Sequence, residues 1–161
     1  MTRIFSALVA SVLVFSSLTA QAEAGGLTYD LGASTGKSGN QTYTEANLGL
    51  SYFAADWLAW RNSLFGRFRS DIDPAYGLDT SLRLTADVGD SAKGFTLFLG
   101  PGYRFASGLS SSPFAEAGLV LHAGGLSIGG GAKQIYNSAV HKGEPDELQY
   151  FVTLGGGGRI L

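Results

Sequence analysis

The stretch YGLDTSLRLTADVG, residues Tyr76 to Gly89, alternates apolar and polar side chains along its length. Because successive side chains of a β-strand point to opposite faces, this order predicts a strand with one apolar and one polar face. The apolar face consists of Leu78, Thr80, Leu82, Leu84, Ala86 and Val88, and the polar face of Gly77, Asp79, Ser81, Arg83, Thr85 and Asp87. Such a strand needs an apolar medium on one side, either a protein core or lipid.

The first residues, MTRIFSALVASVLVFSSLTAQAEA, have the order of a secretory signal peptide. Arg3 precedes an apolar run from Ile4 to Leu18, and small residues suited to cleavage end at Ala22 and Ala24. The run is shorter than the ~20 apolar residues of a spanning helix, which favours a signal peptide over an anchor. We therefore predict that residues 1–24 are a signal peptide, cleaved after Ala22 or Ala24, and that residues 25–161 form one exported domain.

The composition favours an all-β protein. Glycine is frequent, with 24 of 161 residues, and each interior glycine disfavours a long helix. Cysteine is absent, so disulfides and thiolate metal sites are excluded. The formal net charge is −2 and the only multi-residue basic cluster is Arg67 with Arg69, so we expect no nucleic-acid partner.

Turn-like clusters separate eight runs with strand character. The predicted strands are Leu27 to Gly36, Tyr43 to Phe53, Trp57 to Arg69, Tyr76 to Gly89, Phe95 to Ala106, Pro113 to Ala123, Leu126 to Ile135 and Leu148 to Leu161. A meander of successive hairpins is the simplest topology for such a series. After the signal peptide, no apolar run is long enough for a spanning helix, so the exported domain could cross a membrane only as a barrel.

The distribution of charges and aromatic residues favours lipid as the apolar medium. Lys37, Lys93 and Lys142 fall in predicted connections, whereas six arginines fall on strands, where arginine suits confined pairing. On the apolar faces, Tyr52 and Trp60 flank one turn. Other aromatic residues, Phe68, Tyr103, Phe105 and Tyr150, lie toward the opposite strand ends. Two aromatic girdles and an even strand number are typical of an outer-membrane barrel.

The chain resembles the small eight-stranded outer-membrane β-barrels, the opacity-type and OmpX- or OmpA-domain-like surface proteins. The resemblance lies in the signal peptide and in three patterns, LGLSYFAADWLAW (Leu48 to Trp60), FTLFLGPGYRF (Phe95 to Phe105) and PFAEAGLVL (Pro113 to Leu121). It implies an up-and-down transmembrane β-barrel with outer-membrane lipid and the barrel-assembly machinery as partners, as a monomer. One departure is the ending Gly158-Arg159-Ile160-Leu161, where such barrels usually end in an aromatic residue.

A barrel of eight strands has an interior that side chains fill, so no wide pore is expected. The polar faces supply both signs of charge for an internal ion-pair network, with a narrow ion path as the alternative. The predicted network contains Asp30, Glu45, Arg61, Arg67, Asp79, Arg83, Asp87, Arg104, Glu116, His122, Lys133 and Arg159. A charge turned toward lipid at mid-depth would cost roughly 2 to 4 kcal/mol, so these side chains are expected to point inward.

The sequence favours a protein without a catalytic, cofactor or metal site. Some eight-stranded outer-membrane barrels are lipid A deacylases, in which a serine follows a histidine by two residues. Here that position after His141 is Gly143, although Ser138 and either Glu144 or Glu147 lie nearby. The two histidines and scattered carboxylates lack metal-ligand spacing, and Gly129 to Lys133 lacks the full order of a phosphate loop.

Function is expected to reside in the outer loops, predicted as Lys37 to Gln41, Ser70 to Ala75, Gly108 to Ser112 and Tyr136 to Glu147. Only the fourth is long, and its candidate surface contacts are Asn137, His141, Lys142, Glu144 and Asp146. The first hypothesis is a structural or surface-interaction protein of the outer membrane. The second is a soluble ligand-binding barrel with the faces reversed, so that apolar side chains line a cavity.

Overall fold

The computed structural model describes residues 26–69, 72–90 and 93–156. Its elements are β1 (Leu27–Ser38), β2 (Gln41–Ala55), β3 (Leu58–Arg69), β4 (Ile72–Asp90), β5 (Lys93–Ser107), β6 (Ser112–Ala123), β7 (Leu126–Ile135), a 3₁₀ turn η1 (Asn137–Ala139) and β8 (Glu147–Gly156). The predicted signal peptide, Arg159 and the end of the last predicted strand lie outside the described residues. Within the described ranges, no helix has the length and apolarity needed to cross a membrane.

The eight strands form a closed antiparallel barrel in sequence order. Each strand pairs with the next along the chain, and β1 closes the barrel against β8 from Tyr29 opposite Gly156 to Ser38 opposite Glu147. The predicted eight-stranded up-and-down barrel is therefore confirmed. The connections β1–β2, β3–β4, β5–β6 and β7–β8 meet at one end, called the loop end here, and the other three meet at the turn end.

Most strands extend further than the sequence pattern predicted, although β7 has the predicted bounds and β3 begins one residue later, at Leu58. Strand β1 continues to Ser38 and β2 begins at Gln41, so the first predicted outer loop shrinks to Gly39 and Asn40. Gly39 allows this tight hairpin because its φ is +58°, a left-handed conformation that glycine adopts without a steric penalty. Lys37 and Lys93 accordingly lie at strand ends and not in connections.

Pro74 also lies inside a strand, although the sequence DIDP predicts a loop. The β3–β4 pairing shifts register between Arg67 and Arg69, opposite the segment from Ile72 to Ala75. A bulge close to a strand end accommodates proline, which has no N–H for the ladder.

The outer wall of the barrel is apolar between two rings of aromatic residues. One continuous row across six strands consists of Ile128, Leu154, Leu31, Leu48, Leu64 and Leu78. The turn-end ring contains Tyr29, Tyr52, Trp57 and Trp60, and the loop-end ring contains Phe68, Tyr76, Phe105, Tyr136 and Tyr150, all with exposed side chains. The apolar faces point outward, which is the reverse of the arrangement that the soluble ligand-binding hypothesis required.

The interior is correspondingly polar. Arg67, Arg104, Glu45 and Asp79 are at most 2% exposed, whereas Leu31 on the outer wall is 61% exposed. The buried aromatic side chains lie between this polar interior and the strands of the barrel wall. Because charged side chains are buried in the centre and large apolar ones are exposed outside, the barrel is the inverse of an ordinary soluble protein.

Candidate functional site

A continuous chain of ion pairs crosses the interior near the loop end. Cross-strand register places opposite charges side by side, with Glu45 opposite Arg67 and Asp79 opposite Arg104. The barrel's closure then brings in residues from β7 and β8. This six-residue ion chain runs in the order Glu147, Arg67, Glu45, Arg104, Asp79 and Lys133.

Arg67 forms the half of the ion chain nearer to β8. Its Nη1 and Nη2 donate to the two carboxylate oxygens of Glu147 at 3.1 and 2.8 Å, and its Nε donates to Glu45 Oε1 at 2.6 Å. The Tyr43 hydroxyl also donates to Glu147 Oε2, at 2.9 Å. Gln149 Nε2 donates to Ser34 Oγ at 2.6 Å and also to Glu45. These contacts join β1, β2, β3 and β8 through side chains as well as through the sheet.

Arg104 forms the other half of the ion chain. It donates to both oxygens of Glu45 at 2.9 and 3.1 Å and to both oxygens of Asp79 at 2.7 and 2.8 Å. Lys133 Nζ contacts Asp79 Oδ2 at 2.6 Å. Bidentate arginine–carboxylate geometry fixes orientation as well as distance. The Arg104–Glu45 pair links β5 to β2, and the Lys133–Asp79 pair links β7 to β4. These strands are not neighbours in the sheet.

Two further ion pairs extend the polar interior toward the turn end. Arg83 donates to both oxygens of Glu116 at 2.8 and 3.0 Å, and Ser81 Oγ donates to the same carboxylate at 2.6 Å. Arg61 donates to both oxygens of Asp30 at 3.2 and 2.7 Å. The ion pairs of the described residues thus join five carboxylates to five cations. The formal charges of these ten side chains balance.

Asp87 and His122, also expected in the network, both contact the Thr96 hydroxyl. The Thr96 hydroxyl donates to Asp87 Oδ1, and His122 Nε2 lies 2.8 Å from the same hydroxyl. The hydroxyl proton is directed at the carboxylate and not at the imidazole. Thr96 is therefore not arranged as a nucleophile that a histidine base activates.

Four interior cations each stack on an aromatic ring. Their distances to the ring centroids are 3.6 to 4.4 Å, in the pairs Arg67–Tyr43, Arg83–Phe98, Arg104–Phe65 and Lys133–Phe114. Each ring lies beside a glycine on the neighbouring strand, in the register pairs Tyr43–Gly36, Phe98–Gly118, Phe65–Gly77 and Phe114–Gly102. A side chain at any of these glycines would collide with the ring. The glycines thus let the rings lie flat on the wall and leave space above for the cations.

Sequence reasoning missed three central residues, Glu147, Gln149 and Tyr43. The sequence pattern predicts Glu147 in the fourth outer loop, as a candidate hydrolase carboxylate, but it is the first residue of β8 and is buried. Side-chain alternation along β8 could have identified Glu147 and Gln149 as inward-facing. Glu147, Gln149 and Phe151 alternate with the outward-facing Leu148, Tyr150 and Val152.

A polar depression opens at the loop end above the ion chain, with a volume of about 530 Å³. We call it the loop-end cup. Its floor includes Arg67, Arg104 and Glu147, and its walls come from the ends of strands and two connections. The full lining consists of Ser38, Arg67, Arg104, Gly108, Leu109, Ser110, Ile135, Asn137, Glu144, Pro145 and Glu147.

The connection 136–146 is folded by its own hydrogen bonds. Asn137 Nδ2 donates to Pro145 O at 3.0 Å, and Ser138 donates to Asp146 Oδ1 from its backbone N–H at 2.9 Å and from its hydroxyl at 2.7 Å. The Ser138 hydroxyl and backbone N–H hold the pKa of the Asp146 carboxyl below its usual value. Asn137, expected as a surface contact, is instead buried and ties the loop together, whereas His141, Lys142, Glu144 and Asp146 are exposed.

The residues considered for hydrolysis are not assembled. The backbone N–H of His141 donates to Asn137 O at 2.8 Å, and its carbonyl accepts from Glu144 N–H at 3.1 Å. Ser138 is bonded to Asp146 and Glu147 to Arg67, so neither side chain is held against the imidazole.

No protein-family model and no curated protein sequence matches the chain. Solved barrel structures do. A de novo designed transmembrane β-barrel is similar over 86% of this chain and 100% of its own, with a TM-score of 0.63 and 12% identity. The outer-membrane enzyme PagL is similar over 78% of this chain and 97% of its own, with a TM-score of 0.58 and 17% identity.

Ail, the attachment invasion locus protein of Yersinia pestis, is similar over 84% of this chain and 98% of its own, with a TM-score of 0.50 and 15% identity. At these identities the likeness concerns the fold. The fold is that of the outer-membrane β-barrels, which agrees with the resemblance seen in the sequence.

Proposed function

We propose that the chain is an integral outer-membrane β-barrel protein with a structural or surface-contact role. The observation that carries this proposal is the reversed partition of side chains, with arginine–carboxylate pairs inside and leucines outside. The two girdles of aromatic residues lie on either side of the apolar outer wall, as expected at the two interfaces of a membrane. Charged side chains in the belt would be destabilising in lipid, and this arrangement keeps them in the interior.

The interior is proposed to act as a filled, rigid support and not as a wide channel. Among the described residues, five of its carboxylates are paired with five cations, so an ion passing through would have to separate pairs that satisfy each other. The stacked aromatic rings fill much of the remaining width beside those pairs. This filling matches the narrow interior expected for eight strands.

The protein is proposed not to be an enzyme. The similarity to PagL, whose description names it an enzyme, makes lipid modification the alternative to test. We expect a His141→Ala variant and the unaltered protein to leave lipid A acylation the same as in cells carrying an empty vector. A change that the unaltered protein causes and the variant does not would reverse this proposal.

Localisation is tested by producing the full chain in a Gram-negative host. We expect residues 1–24 to be removed and the barrel-assembly machinery to insert the protein into the outer membrane as a monomer. The protein should remain with the outer membrane after a carbonate wash and should change its gel mobility on heating. Release as a soluble periplasmic protein would contradict the proposal.

A further inference from the structure

A groove crosses the outer wall of the barrel over β3, β4 and β5. Its volume is about 510 Å³, and its lining includes Trp60 from β3, Thr80 and Leu82 from β4, and Pro101 and Tyr103 from β5. Trp60 and Leu82 are 51% and 52% exposed, and Pro101 is also exposed. A ligand in the medium around the barrel can therefore reach these side chains.

The backbone ladder is interrupted at this groove. Strands β4 and β5 pair at Ser81 with Gly102 and at Leu84 with Leu99, but not at the two positions between them. Pro101 lies at the interruption, and proline has no N–H to donate to the neighbouring strand. Proline is rare inside a strand that pairs on both sides, as β5 does. The groove thus lies where the wall departs from regular sheet structure.

Two polar side chains border the groove on β3 and β4. Asn62 lies between the outward-facing Trp60 and Leu64, and it is opposite Thr80 in the β3–β4 register. Trp60 Nε1 donates to Thr80 Oγ1 at 2.9 Å, which leaves the Thr80 hydroxyl proton for a second bond. Within the described ranges, the Asn62 side-chain amide forms no hydrogen bond. An amide without a partner is costly in an apolar medium, so a ligand that hydrogen-bonds this amide gains affinity here.

The chemistry of the groove favours an uncharged ligand. None of the described residues that line it is charged. The exposed Lys37 and Lys93 lie at strand ends, and the interior arginines are held by carboxylates on the other side of the wall. A charged head group would lose water without gaining an opposite charge, whereas an ester or a hydroxyl needs only hydrogen bonds. The apolar surfaces of Leu82 and Pro101 suit a hydrocarbon chain.

We propose that this groove binds an uncharged acyl lipid with a hydroxyl-bearing head group, of the monoglyceride kind. The Asn62 amide donates to the ester carbonyl of the lipid, and the Thr80 hydroxyl bonds a hydroxyl of its head group. The acyl chain lies over Leu82 and Pro101. The inference rests on the proposed function, because the groove must face lipid, and it adds a ligand class and a site on that wall.

The test is NMR of the full folded barrel in dodecylphosphocholine micelles, titrated with monododecanoylglycerol. The Trp60 indole N–H and the Asn62 side-chain NH₂ resonances should both shift and saturate, because the ligand occupies one site. Dodecanoate, which has the same chain and a charged head group, should bind roughly tenfold more weakly. Shifts that do not saturate would indicate only partition into the micelle. That result, or binding of dodecanoate as tightly as the glyceride, overturns the proposal.

A pair of variants separates the groove from the rest of the outer wall. Asn62→Leu should weaken glyceride binding roughly tenfold, measured at the Trp60 indole, without lowering stability to urea, since it removes an unpaired amide from an apolar surface. Thr44→Val makes a similar polar-to-apolar change on the wall outside the groove and should retain binding. Retained binding in Asn62→Leu, or equal loss in both variants, contradicts the assignment. A destabilised Asn62→Leu barrel also contradicts it, because the amide would then be a structural group.

Failure of this inference and failure of the proposed function give different results. A barrel that is recovered in the outer membrane but shows no saturable binding overturns the groove assignment alone. A protein that is released into the periplasm and stays soluble without detergent overturns both.

Discussion

At the scale of single residues, Arg104 links Glu45 to Asp79 in the middle of the ion chain. It is 1% exposed, bonds Glu45 and Asp79, and stacks 4.1 Å above the Phe65 ring. A buried ion pair is not necessarily more stable than an apolar pair of the same shape, but loss of one partner leaves the other charge buried and uncompensated. The geometry makes this residue the sharpest probe of the network.

Replacement Arg104→Ala should lower the free energy of unfolding by roughly 3 to 5 kcal/mol, because both carboxylates lose a bidentate partner. Urea unfolding of the barrel in micelles, followed by tryptophan fluorescence, measures the change. Lys142→Ala removes a charge from the exposed loop and serves as the control. If the two variants unfold alike, Arg104 does not stabilise the barrel through the ion chain.

Gly77 allows an aromatic ring to lie on the wall. An added Cβ would meet the Phe105 carbonyl and would lie 2.8 Å from the Phe65 ring. We therefore expect Gly77→Ala to destabilise the barrel by roughly 1 to 3 kcal/mol, the usual cost of overpacking.

Gly66→Ala is the matched control for Gly77→Ala, since its Cβ would be no closer than 3.5 Å to the Phe68 ring. The same urea titration compares the two variants. Equal stability of both would contradict the overpacking argument, since the Phe105 carbonyl and the Phe65 ring would both have to move aside without cost.

At the scale of the elements, alternation predicted which side chains of a strand share a face, but not where the strands end. Period-two order is a local property, so Leu78 and Asp79 could be assigned to opposite faces from sequence. The ends depend on hairpin geometry and bulges, which is why Pro74 and Glu147 were assigned to loops. Asn137 was misjudged for a related reason, because a polar residue in a connection can be consumed in closing that connection.

The connection 136–146 provides a prediction at this scale. Asp146 accepts from the Ser138 hydroxyl and backbone N–H, and these bonds lower its pKa. A group with a lowered pKa contributes stability above its unfolded pKa and loses it as the pH falls through its folded pKa. Faster hydrogen exchange of the Ser138 amide is therefore expected in Asp146→Asn near neutral pH, after correction for intrinsic rates.

Acidification should bring the unaltered protein closer to the Asp146→Asn variant, as the carboxyl is protonated. Hydrogen exchange measured across the acidic range checks this convergence. Glu144→Gln is the control, because Glu144 bonds the loop through its backbone N–H and its side chain is exposed. Identical protection in all three proteins would mean that the Ser138–Asp146 bonds do not hold the loop.

At the scale of the whole molecule, closure creates contacts that no strand pattern contains. Sequence reasoning could collect the inward charges, but the partner of Arg67 on β8 and that of Lys133 on β4 depend on which strands face each other across the interior. Opposite charges on neighbouring strands follow from register, as for Glu45 and Arg67. Pairs across the barrel follow only once its size and stagger are fixed.

The outer wall carries the last prediction. Leu48 lies in the apolar row on the outer wall, between the two girdles of aromatic residues, and is 51% exposed. If the wall faces lipid, Leu48→Arg should destabilise the vesicle-inserted barrel by roughly 2 to 4 kcal/mol, whereas Leu126→Arg, at the turn-end start of β7, should cost roughly 0 to 1 kcal/mol. Reversible urea unfolding from vesicles measures both. Water outside the wall would instead make both changes small, within about 0.5 kcal/mol, since exposed substitutions in a soluble protein have little effect. A depth-dependent difference therefore separates a membrane wall from a wetted one, and equal small effects would contradict the membrane role.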